Sequence, residues 1–198
     1  MITQEELLSL VHAQSGHFVF ESGYHGDVWW DLEALCQRPA KLLPFVAALA
    51  ASLRQYEPDV ICGPLVEGAF VALLVASELR CDFAYALRFA SEAKHLFPVS
   101  YRLPGPLHPV VRRKRVVIVN DVISAGSAVR GSLEHVRQLD GNVVAVASLV
   151  VLGETFAEFC QAQNLPLIAL FRQEHNMWLP EGCPLCAAGG TPVNLAHN

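Results

Sequence analysis

Apolar positions along the chain follow either a helical spacing or short uninterrupted and alternating runs suited to strands. Thr3 and Glu6 form a capping-box pattern ahead of Leu7, Leu8 and Val11, which predicts a short first helix ending near Ser15-Gly16. Residues 17–22 and 28–32 read as two short strands around Gly23-Tyr24-His25-Gly26. Pro39 opens a long helix reaching Tyr56, followed by a strand over 59–62, a helix over 68–79 and a strand over 83–89. Residues 90–113 hold Pro98, Pro104, Pro106 and Pro109 without a sustained period, so the pattern predicts a long loop or flap. Beyond it come a buried strand over 116–119, a helix over 128–139, a strand over 143–151, a helix over 155–163 and a strand over 167–171.

Strands that alternate with helices imply an α/β fold, with a mostly parallel sheet covered on both faces. The length of 198 residues fits a single domain, with room for a small appendage at either end. At 53% hydrophobic and 17% charged, the composition points to a large core and to further apolar surface hidden in a homodimer. A net charge of -5 gives no broad attraction to nucleic acid. Thr3-Gln4-Glu5-Glu6 is unlike a signal peptide, and no apolar run reaches the roughly 18 residues of a membrane span. Cys36, Cys62, Cys81 and Cys160 lie inside apolar segments, as in the reduced core of a cytoplasmic protein.

The chemistry concentrates in Val117 to Val129, VIVNDVISAGSAV. A buried strand runs through Asn120 and Asp121 into Val122 and Ile123, and Ser124-Ala125-Gly126-Ser127 then turns into a helix. A helix start offers unpaired N–H groups and the positive end of the dipole to an anion. Small residues let a phosphate approach the backbone, serine hydroxyls add donors, and Asn120 and Asp121 can accept from sugar hydroxyls. Asp121 as a simple cap of the turn is the structural alternative.

The segment VVIVNDVISAGSAVRGSLEHV resembles the phosphoribosyl-diphosphate (PRPP) signature of type I phosphoribosyltransferases. Ser15-Gly16-His17-Phe18, then Ser22-Gly23-Tyr24-His25 and Trp29-Trp30-Asp31, are similar to the N-terminal region of the orotate enzymes, and Gly63-Pro64-Leu65-Val66-Glu67-Gly68 resembles their diphosphate loop. The resemblance implies a core over 39–173, with a small hood made from 1–38 and the tail 174–198, and a long flexible flap. It implies PRPP carried with Mg2+, and phosphoribosyl transfer to orotate as a step of pyrimidine biosynthesis, with transfer to another base as an alternative. Ser124 to Ser127 would hold the 5'-phosphate, Asn120 and Asp121 the ribose hydroxyls, and Gly63 to Gly68 the diphosphate. Ser22, Gly23, His25, Trp29 and Trp30 would face the base, and Asp121, Lys94 and Arg88 would serve catalysis. Ordinary core packing is the other reading of the tryptophans, and a solvated loop residue that of Lys94. Mg2+ would ride mainly on the oxygens of PRPP, so no side chain is assigned as its direct ligand.

Several positions depart from the orotate pattern. Asn120 stands where the family has a carboxylate, and Glu21 replaces a basic residue of many relatives. Glu92-Ala93-Lys94-His95 lacks the glycine of the usual flap motif. Leu152-Gly153-Glu154 stands where an arginine for the base carboxylate is expected, leaving Arg88, Arg130 or Arg172 for that task. The same departures would suit a non-catalytic PRPP or nucleotide regulator. Cys183-Pro184-Leu185-Cys186 is open to three readings: half a zinc site completed by His175, His197 or a dimer mate, a redox pair, or small thiols packing a tail.

Overall fold

The computed structural model describes residues 2–90 and 96–195. Helix α1 (Gln4–Leu8) starts at the Thr3 capping box, where Thr3 and Glu6 bond reciprocally. It stops about two turns earlier than the sequence suggests, because residues from His12 on are drawn into a strand. β1 (His12–Val19) and β2 (His25–Asp31) pair antiparallel, with an irregularity between Ser15 and Phe18. The turn between them closes through Phe20 N–H donating to the Tyr24 carbonyl at 2.8 Å, with Gly23 in the left-handed region at φ 86.

α2 (Glu33–Cys36) and α3 (Pro39–Leu53) lead to β3 (Val60–Pro64), α4 (Glu67–Leu79) and β4 (Asp82–Ala90). The span expected to be a loop contains β5 (Val99–Arg102) and α5 (His108–Val111). β5 forms because it lies antiparallel on the edge of β4, pairing Arg88 with Tyr101. β6 (Arg115–Ile123), α6 (Ser127–Gln138), β7 (Asn142–Leu152), α7 (Thr155–Ala162) and β8 (Leu167–Gln173) complete the core. Sheet order is β5-β4-β3-β6-β7-β8, parallel throughout except at β5.

The core is an α/β sandwich of the expected class. Val117 and Val119 pack with α3 and α4, whereas Val116 and Ile118 pack with α6 and α7, the alternation a strand buried on both faces requires. The tail adds β9 (Met177–Trp178), α8 (Pro184–Ala187) and β10 (Val193–Asn194). β10 lies beside β1 and β9 beside β2, giving a separate four-stranded sheet of order β10-β1-β2-β9.

Candidate active site

A cleft of about 410 Å³ opens between the hood sheet and the carboxyl ends of the parallel strands. This is where open α/β sheets offer loops and helix starts to a ligand. One wall is made by Asn120, Val122 and Ile123 of β6, then Ser124, Gly126 and Ser127 at the start of α6. Leu65, Val66 and Glu67 between β3 and α4 form the second, and Phe20, Glu21, Ser22, Trp29 and Trp30 of the hood the third.

The β6–α6 loop is shaped for close approach to backbone. Gly126 has φ +81, and a Cβ there would run into the Phe156 ring, so only glycine fits the turn. Arg130 braces the loop from behind: its Nε donates to the Ala125 carbonyl at 2.9 Å, and its guanidinium lies 3.8 Å from the Phe159 ring centroid. The Leu65–Val66 peptide is cis. Gly63 packs so tightly on α4 that a Cβ would meet Ala72 at 2.6 Å, and one on Gly68 would collide with Asn120 Oδ1.

Asn120 and Asp121 divide across the strand. Asn120 lines the cleft, and its Nδ2 donates to the Val122 carbonyl at 2.7 Å. The Asp121 side chain is buried behind the wall, with no hydrogen-bond partner for Oδ2 among the described residues. Burial first, then the neighbouring Glu67 charge, pushes its carboxyl up to about 7, against the pull of backbone N–H groups.

Arg88 is the one Lys or Arg side chain on the cleft wall among the described residues, and its charge is already matched. Its Nε donates to Glu21 at 2.6 Å, and the Tyr101 hydroxyl lies 3.2 Å from both Glu21 oxygens. Burial and the Glu21 charge hold the Tyr101 phenol protonated, well above its usual range. Arg130 is committed to the loop and its aromatic neighbours, and Arg172 is exposed on β8 away from the cleft wall. Lys94, expected to act in the flap, lies outside the described residues, as does His197.

Of the residues expected to face the base, Ser22, Trp29 and Trp30 line the cleft, whereas Gly23 and His25 are absent from its wall. Trp29 stacks on Phe20 with ring centroids 6.2 Å apart. The buried Trp30 Nε1 has no hydrogen-bond partner among the described residues. His25 points elsewhere, to His17 and the cysteine pair. His175, read from sequence as a ligand for those cysteines, instead lines the cleft beside Phe20, and burial lowers its pKa. Phe20, Tyr101 and His175 carried no motif and reach the cleft only through tertiary packing.

Residues 40–156 match the Phosphoribosyl transferase domain family. The chain therefore belongs to the type I phosphoribosyltransferase family, whose members are transferase enzymes. It is 28% identical over 176 residues to the orotate phosphoribosyltransferase of Caldanaerobacter subterraneus subsp. tengcongensis, covering 88% of this chain and 85% of that one. Its fold is similar to adenine phosphoribosyltransferase from Thermoanaerobacter pseudethanolicus, with a TM-score of 0.65, 20% identity and coverage of 86% and 99%. Orotate phosphoribosyltransferase from Aeropyrum pernix superposes with a TM-score of 0.62, 21% identity and coverage of 85% and 92%.

Proposed function

We propose that the protein transfers the phosphoribosyl group of PRPP to orotate, giving orotidine 5'-monophosphate and diphosphate. The observation that carries this reading is the cleft wall itself, with Asn120 beside the α6 start at Ser124, Gly126 and Ser127. Orotate is favoured by curated relatives of that activity that extend over most of the chain.

In this reading, backbone N–H groups at the start of α6 and the Ser124 and Ser127 hydroxyls hold the 5'-phosphate. Asn120 meets the ribose hydroxyls from the cleft wall, whereas Asp121, expected to share that task, is buried behind the wall with Oδ2 unpaired among the described residues. The Gly63 to Gly68 turn faces the diphosphate, with Lys94 as the flap cation and Arg88 sharing its charge between Glu21 and the ligand. Ser22, Trp29, Trp30 and His175 surround the base, where the free Trp30 N–H can donate to a ring oxygen.

A ring nitrogen of the base attacks the anomeric carbon: the C–N bond forms, the C–O bond breaks, diphosphate leaves with the electron pair, and the proton of that nitrogen passes to the departing diphosphate or to water. No protein nucleophile is required, so positioning and charge stabilisation carry the rate. Mg2+ would ride mainly on the oxygens of PRPP, and the hard carboxylate oxygens of Glu67 on the cleft wall beside the Gly63 to Gly68 turn fit such a cation. Bound there with PRPP, Mg2+ would supply neutralising charge for the diphosphate.

A second reading, transfer to an uncharged base, is favoured by one observation: the single described Arg on the wall is neutralised by Glu21, leaving little to hold a base carboxylate. We also read the chain as a homodimer, supported by exposed Phe70 and Leu73 on α4 and Leu87 and Phe89 on β4. Diphosphate release, measured with PRPP, Mg2+ and a panel of orotate, uracil, adenine, guanine and hypoxanthine, decides the base. The proposal expects the highest kcat/KM with orotate. A purine preference would establish the second reading, and PRPP binding without turnover of any base would leave a regulator.

A further inference from the structure

We propose that His17, His25, Cys183 and Cys186 bind a zinc ion that fastens the C-terminal tail to the hood, at a site separate from the cleft. The four ligand atoms lie within 4.8 Å of one another, although they come from two distant parts of the sequence. His17 Nε2 is 3.2 Å from His25 Nδ1 and 3.3 Å from Cys183 Sγ. Cys186 Sγ is 3.7 Å from His17 Nε2 and 3.3 Å from His25 Nδ1.

Those spacings suit a tetrahedron. Bonds of about 2.3 Å to sulfur and about 2.0–2.1 Å to nitrogen place two nitrogens about 3.3 Å apart and a nitrogen and sulfur about 3.6 Å apart. The S2N2 donor set selects zinc over magnesium or calcium, which take oxygen ligands. Two thiolates and two neutral imidazoles balance the charge of the ion, which suits a site where Cys183 and His25 are both buried. Four protein ligands leave no open position, so the site is structural.

The fold gives such a tie work to do. The tail reaches the hood sheet through β9 and β10, each only two residues long, and α8 spans one turn with no buried residue. So few pairings and so little core hold a segment weakly. Cys183 ends the turn before α8 and Cys186 lies within it, while His17 and His25 sit on adjacent hood strands. One ion at their junction would fix the tail to the strands that flank Phe20, Ser22 and Trp29. Cys-x-x-Cys alone could not indicate its partners, because His17 and His25 are brought to it only by the pairing of β1 with β2 and the tail.

Zinc content of the full-length protein, purified without chelators and measured by inductively coupled plasma mass spectrometry, tests the inference. We expect about one zinc per chain, falling at least tenfold in Cys183→Ser/Cys186→Ser and in His17→Asn/His25→Asn. Cobalt substitution of the unaltered protein should give intense tetrahedral d–d bands and thiolate-to-cobalt charge transfer, a readout that does not depend on the variants folding. Protein that retains no zinc and shows neither cobalt signal, whether its thiols are free or joined as a disulfide, would overturn the proposal. Metal content is independent of phosphoribosyl transfer, so either conclusion can fail without the other.

Discussion

Asn120 forms part of the cleft wall, although it occupies a position where the resemblance leads one to expect a carboxylate. Its Nδ2 donates to the Val122 carbonyl, a bond only the amide can make, and its Oδ1 packs toward Gly68. A carboxylate there would set oxygen against oxygen and lose a buried hydrogen bond, a cost of about 1–3 kcal/mol. We therefore expect Asn120→Asp to lower kcat/KM for PRPP by about tenfold, as measured by steady-state diphosphate release. An equal or higher value would mean that the amide is a deficit. Asp121, one residue on, has the complementary property: it is buried, its carboxyl is pushed up to about 7, and Oδ2 lacks a partner among the described residues.

At the scale of elements, the strand–turn–helix from β6 to α6 bears most of the proposed PRPP contacts. Gly126 combines φ +81 with contact against Phe156, so Gly126→Ala should cost about 1–3 kcal/mol and weaken PRPP binding. Thermal melting and calorimetry would detect both, and an unchanged Tm with an unchanged Kd would contradict this account of the turn. The same unit is legible in the sequence because its strand period, Asn-Asp pair and small-residue turn are contiguous. β5 was not legible: it is a four-residue edge strand between prolines, and its pairing with β4 supplies what local pattern lacks. The first helix is shorter than its pattern suggests for a related reason: the polar stretch after Val11 gives no local stop, and pairing of His12 with Asp31 draws it into a strand. His25 and His175 exchanged expected places, one going to the cysteines and the other to the cleft, because tertiary pairing of the tail sets both positions.

Across the whole molecule, the mostly parallel sheet presents the loops that line the cleft, and the hood sheet, assembled from both ends of the chain, lies across from them. Apolar side chains on neighbouring α4 and β4 remain exposed, including Phe70, Leu73, Leu87 and Phe89. A second copy covering that surface is expected to give a dimer in sedimentation velocity at micromolar concentration, and a monomer throughout would remove the homodimer reading. The most direct test of the central claim is to mix the purified protein with PRPP, Mg2+ and orotate and follow the nucleotide product by mass spectrometry. The account predicts orotidine 5'-monophosphate in step with diphosphate, dependent on enzyme and abolished without Mg2+. Bound PRPP with no orotidine 5'-monophosphate would contradict it.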